Sequence, residues 1–393
     1  MAKSLVVVLA VGLLGCQGSA TPVETPEARL GRQIFSDSNL SASGRMSCAS
    51  CHSPVHAYGP PNARAVQLGG PTLSTAGLRA VPSLRYTLPR TPMWAHPRPT
   101  SLAEQITEKD EGPAGGFTWD GRFNTLHAQA AFPLLAPSEM ASSKKAIVRA
   151  IERGPYAGEF SRFFGANVFG DTNRAFADAL AAIERFELED PSFAPYSSKY
   201  DRYLDGKASL TPQETRGLAL FNDGTRGNCA SCHLSARGAN GAHPLFTDFQ
   251  FEAIGVPRNP DIPANHDPAF YDLGLCGPIR TDQSIKQYCG MFKTPTLRNV
   301  ATRGVFFHNG RFHSLKDMLH FYVERDANPG AWYPHDGKDK YDDLPASLRA
   351  NVDTTTLPLA RKRGEVPVWN DADIDDVSAF LETLTDSDQV PKP

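Results

Sequence analysis

The chain begins with a short continuous apolar run, Leu5–Leu14, and turns amphipathic after it. The run is too short to span a bilayer as a helix, and behind the positive charge of Lys3 it has the length of a signal-peptide core. Residues 17–27 (QGSATPVETPE) have no apolar period and read as a polar tether. Helical spacing begins with Leu30 and Ile34, around Leu30–Phe35, and returns with Leu218, Leu220 and Phe221 in Thr211–Phe221. The second of these segments carries its own start signal. Thr211 and Glu214 form a capping box, with Pro212 in the first turn. Asp371–Leu381 is a closing amphipathic helix with acids in its first turn. No other segment is long and apolar enough to cross a membrane.

Length and charge narrow the classes. A chain of 393 residues corresponds to about two to three domains. Forty Lys and Arg against 43 Asp and Glu leave no basic excess for a phosphate backbone, so nucleic acid is not the main partner. The 40% hydrophobic content supports globular cores. Gly and Pro, 32 of each, make the chain rich in loops. Seven Cys are too few for a disulfide-built scaffold, so their positions carry more information than their number.

The first Cys follows the leader. Leu13-Leu14-Gly15-Cys16 resembles the bacterial lipobox, in which residues 1–15 are removed and Cys16 becomes the lipidated first residue. An ordinary secretory signal with a chance Cys is the alternative. Gln17, rather than Asp, resembles outer-membrane sorting. The expectation is a periplasmic lipoprotein, anchored to the outer membrane, that meets the membrane only through its lipid. Disulfides are permitted there.

Cys48-Ala49-Ser50-Cys51-His52 and Cys229-Ala230-Ser231-Cys232-His233 are one pentapeptide used twice. C-x-x-C-H is the attachment signature of c-type haem. Two thiols add across the haem vinyls and the next His becomes the proximal iron ligand, so all three must come from about one helical turn. A zinc half-site, a redox thiol pair and a structural disulfide are the competing readings, and repetition in an exported chain weakens them. In both cases a helical segment leads through a Gly/Ser/Asn-rich loop into the motif. The chain therefore reads as two cytochrome-c-like units, 28–200 and 207–385, with the boundary near Pro195–Lys207.

With these motifs the sequence resembles the bacterial di-haem cytochrome c peroxidase and MauG family over nearly the whole mature chain. The resemblance is carried by Trp119-Asp120-Gly121-Arg122, by Gln129, Pro133 and Glu139-Met140, by Phe292–Val300, and by Phe307-His308-Asn309-Gly310. It implies a mostly α fold, with two cytochrome-c-like haem domains packed across a pseudo-twofold interface. It also implies two covalently bound c-type haems and hydrogen peroxide as oxidant. The N-terminal haem would react with peroxide and the C-terminal one would carry electrons. On the distal side of the first, Glu139 would move the peroxide proton and Gln129 would orient the substrate. Trp119 would lie between the haems and relay charge, with Trp94 the weaker candidate. Without the resemblance, Glu139 would be a solvated or capping residue, Gln129 a surface one and Trp119 a core indole.

Three departures from the family pattern sharpen the reading. The loop 66–77, where many members carry a second haem-ligating His, has none, which implies an open first haem; His56 and His96 lie outside the motif's place. Counting on from His308, the sixth-ligand Met of the peroxidases is replaced by Tyr322, as in MauG. An oxygen donor favours oxidised iron over ferrous, so a Tyr suits a haem that stores oxidising equivalents. Met318, His320 and Met291 are its rivals, and a buried core Tyr is the plain alternative. The calcium-binding motifs read Ala80-Val81-Pro82 and Arg303-Gly304-Val305, without the side-chain oxygen a hard cation prefers. Calcium is thus expected to be absent or weak, with Arg303 supplying its charge or simply lying at the surface. Cys276 and Cys289 remain. In an exported protein their default is a disulfide, contributing about 3 kcal/mol by loop entropy, against two free thiols.

Three functions follow. One is a MauG-like enzyme that oxidises a partner protein at a distance. The second is a conventional peroxidase fed by a small redox protein. The third is an electron-transfer cytochrome without peroxide chemistry, against which Glu139 and Gln129 argue.

Overall fold

Thr25 starts the first helix, α1 (Pro26–Ser36), by accepting from the Ala28 amide, and Pro26 sits where no amide is needed. The computed structural model describes residues 24–86, 90–96 and 112–390, so Cys16 and the leader lie outside the described residues. The helix begins inside the segment read as a tether, because Thr25-Pro26 is itself a start signal. Next come α2 (Leu126–Leu135), α3 (Lys144–Arg153), α4 (Ala157–Phe164), α5 (Thr172–Glu189), α6 (Lys199–Leu204), α7 (Pro212–Asn222), α8 (Leu315–Glu324) and α9 (Asp371–Glu382). Among the described residues, sheet is confined to two antiparallel ribbons. One joins β1 (Leu68–Gly69) to β2 (Thr75–Ala76), and the other joins β3 (Phe251–Glu252) to β4 (Phe292–Lys293). Among the described residues no helix is long and apolar enough to cross a membrane.

The same helix crossing is built twice. In the first half α1 lies so close on α5 that a Cβ on Gly31 would stand 1.9 Å from the Ala182 carbonyl oxygen. In the second half α7 lies on α9, where a Cβ on Gly217 would stand 2.0 Å from the Asp376 carbonyl oxygen. One turn on, Phe35 meets Phe186 at 5.4 Å and Phe221 meets Phe380 at 5.2 Å. All four rings are buried, each contributing about 1.5–3 kcal/mol. Thr211 with Glu214 and Asn370 with Asp373 form capping boxes at the starts of α7 and α9.

Two apolar cores follow, one running from Leu30 to Phe193 and the other from Tyr200 to Leu384. The stretch 195–207 is more than a linker, since it contains α6. Tyr200 of that helix is in the second core, and Asp201 receives two hydrogen bonds from Arg298. The second half also extends past 385, to a fully buried Asp386. Across the seam, Arg85, Tyr86, Ser197 and Asn299 all donate to Asp386. Arg79 grips Asp272 with two hydrogen bonds and Asp120 with a third.

Candidate functional site

Both C-x-x-C-H pentapeptides fold as one tight turn. Cys48–Cys51 is a single α-turn and Cys229–Ser231 a single 3₁₀ turn. The His52 amide donates to the Cys48 carbonyl and the His233 amide to the Cys229 carbonyl, each at 2.8 Å. The thiols and the imidazole thus come from one turn, as haem attachment requires. Each imidazole is held through Nδ1, His52 donating to the Tyr58 carbonyl (3.1 Å) and His233 to the Phe246 carbonyl (2.9 Å). This tautomer leaves Nε2 as the free base that an iron takes. Burial lowers the His52 pKa to about 4 and lowers that of His233 as well, which disfavours the charged imidazole in both. Burial also pushes Cys48 and Cys229 up to about 12, and Cys51 and Cys232 to about 11. A catalytic redox pair needs a thiol shifted the other way. Among the described residues no three His, Cys, Asp or Glu converge as a metal cage, which a zinc site would need. The residues fit covalent haem at both places.

Glu139 follows α2 in a turn pinned from outside, where the Gly70 amide of the β1–β2 ribbon donates to the Glu139 carbonyl at 2.7 Å. The loop without a ligating His therefore packs against the backbone that carries Glu139. Desolvation raises the Glu139 carboxyl to about 7, against the pull of Arg122. Its charge is felt at Cys48 and Cys51, which places the carboxyl on the side of the first attachment motif. Gln129, on α2, and Trp119 line a cavity that continues to Cys229, Cys232 and His233. The Trp119 indole donates to the Ala80 carbonyl at 2.8 Å, and its own carbonyl accepts from the Lys293 amide of β4. Trp119 thus joins the two halves. Asp120 beside it is fully buried. Burial alone would raise its carboxyl, but the charges of Arg79 and Arg122 hold it below its ordinary range.

On the C-terminal side, Tyr322 and Met318 project from one face of α8 into the cavity that contains His233. Burial first, then the Cys232 and Cys229 thiols, push the Tyr322 phenol above its ordinary range. His320 faces elsewhere, with Nδ1 3.0 Å from Glu324 and Nε2 3.9 Å from Asp371. Met291 is not among the cavity-lining residues, and its carbonyl accepts from Leu275. His308 stacks on Phe292 at 3.5 Å, and its carbonyl accepts from the Ala80 amide of the first half.

Arg303 lies at the seam, also lining the cavity. It donates to the Val81 carbonyl (3.0 Å) and the Val305 carbonyl (3.2 Å), and burial lowers its pKa to about 10. Cys276 and Cys289 are joined as a disulfide. Sequence reasoning passed over Lys293. Burial lowers this lysine to about 7, its ammonium donates to the Gly116 carbonyl, and its amide holds Trp119. A lysine inside the otherwise apolar Phe292–Val300 motif was the available signal. It also set aside Trp94, which the structure packs on Gly121.

Comparison with known proteins agrees with this geometry. Residues 25–209 match the family model of di-haem cytochrome c peroxidases. The chain is 31% identical over 394 residues to the methylamine utilization protein MauG of Paracoccus denitrificans, covering 95% of this chain and 92% of that one. It is 28% identical to the cytochrome-c peroxidase IdrP1 of Pseudomonas sp. (strain SCT), covering 77% and 73%. Among solved structures, the diheme peroxidase BthA of Burkholderia thailandensis superposes with a TM-score of 0.82 at 39% identity, covering 93% and 88%. The chain belongs to the bacterial di-haem cytochrome c peroxidase and MauG family, and is a peroxidase-type oxidoreductase with two c-type haems that uses hydrogen peroxide and a redox partner.

Proposed function

We propose that the enzyme reacts with hydrogen peroxide at its N-terminal haem and uses the oxidising equivalents, passed through Trp119 and held on the C-terminal side, to oxidise a partner protein. The carrying observation is that Tyr322 shares the cavity of His233 while His320 and Met291 do not. Bound haem supplies the O–O cleavage and the electron storage. His52 and His233 would hold it through Nε2, with Nδ1 fixed by carbonyls. Glu139, with a pKa near 7, accepts the peroxide proton and returns it to the departing oxygen. Gln129 orients the peroxide by hydrogen bonding. Tyr322 would hold the iron of the second haem, and its oxygen would favour the oxidised side. The ribbon 66–77 brings no His, so the first haem needs no prior reduction. Arg303 supplies the cationic charge that calcium gives other members. On this reading the protein is periplasmic, carries a lipid at Cys16, and has two units of about 28–200 and 207–385.

A second reading rests on Met318, which lines the same cavity one turn before Tyr322. A thioether ligand would favour the ferrous state and a conventional peroxidase fed by a small electron donor. One equivalent of hydrogen peroxide added to the diferric protein, followed by visible, near-infrared and EPR spectra, separates the two. Immediate loss of both ferric signals is expected. Reaction only after one haem is reduced would favour the conventional peroxidase. Tyr322→Phe should change the C-terminal haem spectrum and Met318→Leu should leave it unchanged; the reverse would reassign the ligand.

A further inference from the structure

Past Trp119 a second set of aromatic residues follows through Gly121. Two residues along, Gly121 has Trp94 packed on it; a Cβ there would stand 2.9 Å from the indole Cδ1. Trp94 lies parallel to His96 at 6.3 Å between ring centroids, and His96 meets Tyr288 edge-on at 5.0 Å. The Tyr288 hydroxyl and His96 Nε2 are hydrogen-bonded. Tyr288 stands beside Cys289 of the disulfide strap, next to exposed Lys286 and Gln287, and Met93, which precedes Trp94, is 69% exposed.

The three oxidisable rings differ in what could receive a proton. A Trp or Tyr that loses an electron becomes strongly acidic, and it settles as a neutral radical only beside a base. Trp119 Nε1 donates to a backbone carbonyl, which is no base. Trp94 Nε1 is buried and has no hydrogen-bond partner among the described residues. The Arg280 guanidinium also lies 4.2 Å from the Trp94 ring centroid, held there by Asp282 and the Asp120 carbonyl. A positive charge on that ring would face a fixed cation. Tyr288 alone has an imidazole in contact with its hydroxyl.

Resting on the peroxide-dependent reading above, we propose that Trp94, His96 and Tyr288 form the exit route for oxidising equivalents, with Tyr288 the residue from which an outside electron donor is oxidised. The vacancy on Trp119 passes through Trp94 without settling. Tyr288 fills it with one electron and gives its phenolic proton to His96 Nε2, leaving a neutral tyrosyl radical and an imidazolium. The outside donor returns one electron to Tyr288, and the proton goes back from His96. Hydrogen peroxide takes two electrons and two protons and leaves as two waters, so each peroxide drives two passages. Arg280 is a positioning residue whose charge keeps the vacancy from settling on Trp94.

The test is spin trapping of the peroxide-treated holoprotein with peptide mapping, alongside EPR of frozen samples. The trap should label Tyr288. Tyr288→Phe should remove that label and its tyrosyl signal and slow about tenfold the re-reduction of the oxidised protein by hexacyanoferrate(II), a change of about 1.4 kcal/mol in barrier. Re-reduction at the wild-type rate in Tyr288→Phe, or a label confined to other residues, would overturn the proposal. A flash-generated ruthenium(III) oxidant repeats the measurement without peroxide. A Tyr288 radical lost in His96→Phe then supports the route even if the protein ignores peroxide, and equal yield in His96→Phe overturns it.

Discussion

In the N-terminal half, Gly31 lies against the Ala182 carbonyl and a carboxyl at Glu139 is raised to about 7; in the C-terminal half, Gly217 lies against the Asp376 carbonyl and the cavity carries Tyr322 among Phe307 and Phe321. The two halves share one helix crossing and one mode of holding a histidine. They differ in whether the lining offers a proton carrier or an aromatic wall. On the proposed reading, proton chemistry and charge storage are divided between copies of one scaffold by changing a few side chains around a constant frame.

The comparison breaks most visibly at Glu139. Glu139→Gln should slow the reaction with peroxide by about 10²–10⁴-fold while the haem spectra stay intact, measured by stopped flow. In the wild type the rate should rise with pH through about 7, because only the carboxylate accepts the peroxide proton. In Glu139→Gln that rise should disappear. A rate unchanged by the substitution would remove the proton role.

The shared frame is tested next. Gly31→Val and Gly217→Val each place atoms where a backbone carbonyl stands, and each should cost about 3 kcal/mol in urea melts. Limited proteolysis should open the first half in one variant and the second in the other. If both open together, the halves fold as one unit.

The smallest effect compares equivalent positions on the two closing helices. Glu187 follows Phe186 and Leu381 follows Phe380, and both are buried. Burial, then Glu184, raises the Glu187 carboxyl to about 8. Between the ordinary carboxylate range and pH 8 the folded chain keeps a proton that the unfolded chain has lost, so stability falls as pH rises across that window. Glu187→Leu should flatten this slope, gaining about 1–2 kcal/mol at pH 7.5 and little at pH 5. An equal gain at both values would mean that packing, not ionisation, sets the difference.

What the sequence disclosed followed the range over which each feature is encoded. The attachment turns were legible because thiols and ligand must be contiguous, and the helix starts at Thr211 and Asp371 because caps are local. Glu139, Gln129, Trp119 and Tyr322 carry no local mark of their chemistry, and only the family resemblance singled them out. The start of α1 at Pro26 and the helix at Lys199–Leu204 were misjudged, since polar residues before a cap resemble a linker until their partners are known. Arg298 of Asp201, Asp272 of Arg79 and Tyr288 of His96 were out of reach. Each pairing closes over a long stretch of chain, and no spacing rule selects it.

The buried Asp386 has a consequence for assembly. Arg85, Tyr86, Ser197 and Asn299 all wait on one carboxylate that follows both C-x-x-C-H turns by more than 150 residues. A polypeptide emerging from the N terminus would have both C-x-x-C-H turns available long before that carboxylate appears. Until it does, the buried Arg85 has no counterion at Asp386 to settle against. The seam therefore cannot close around this carboxylate until residue 386 is in place, which in chain order is later than either attachment turn.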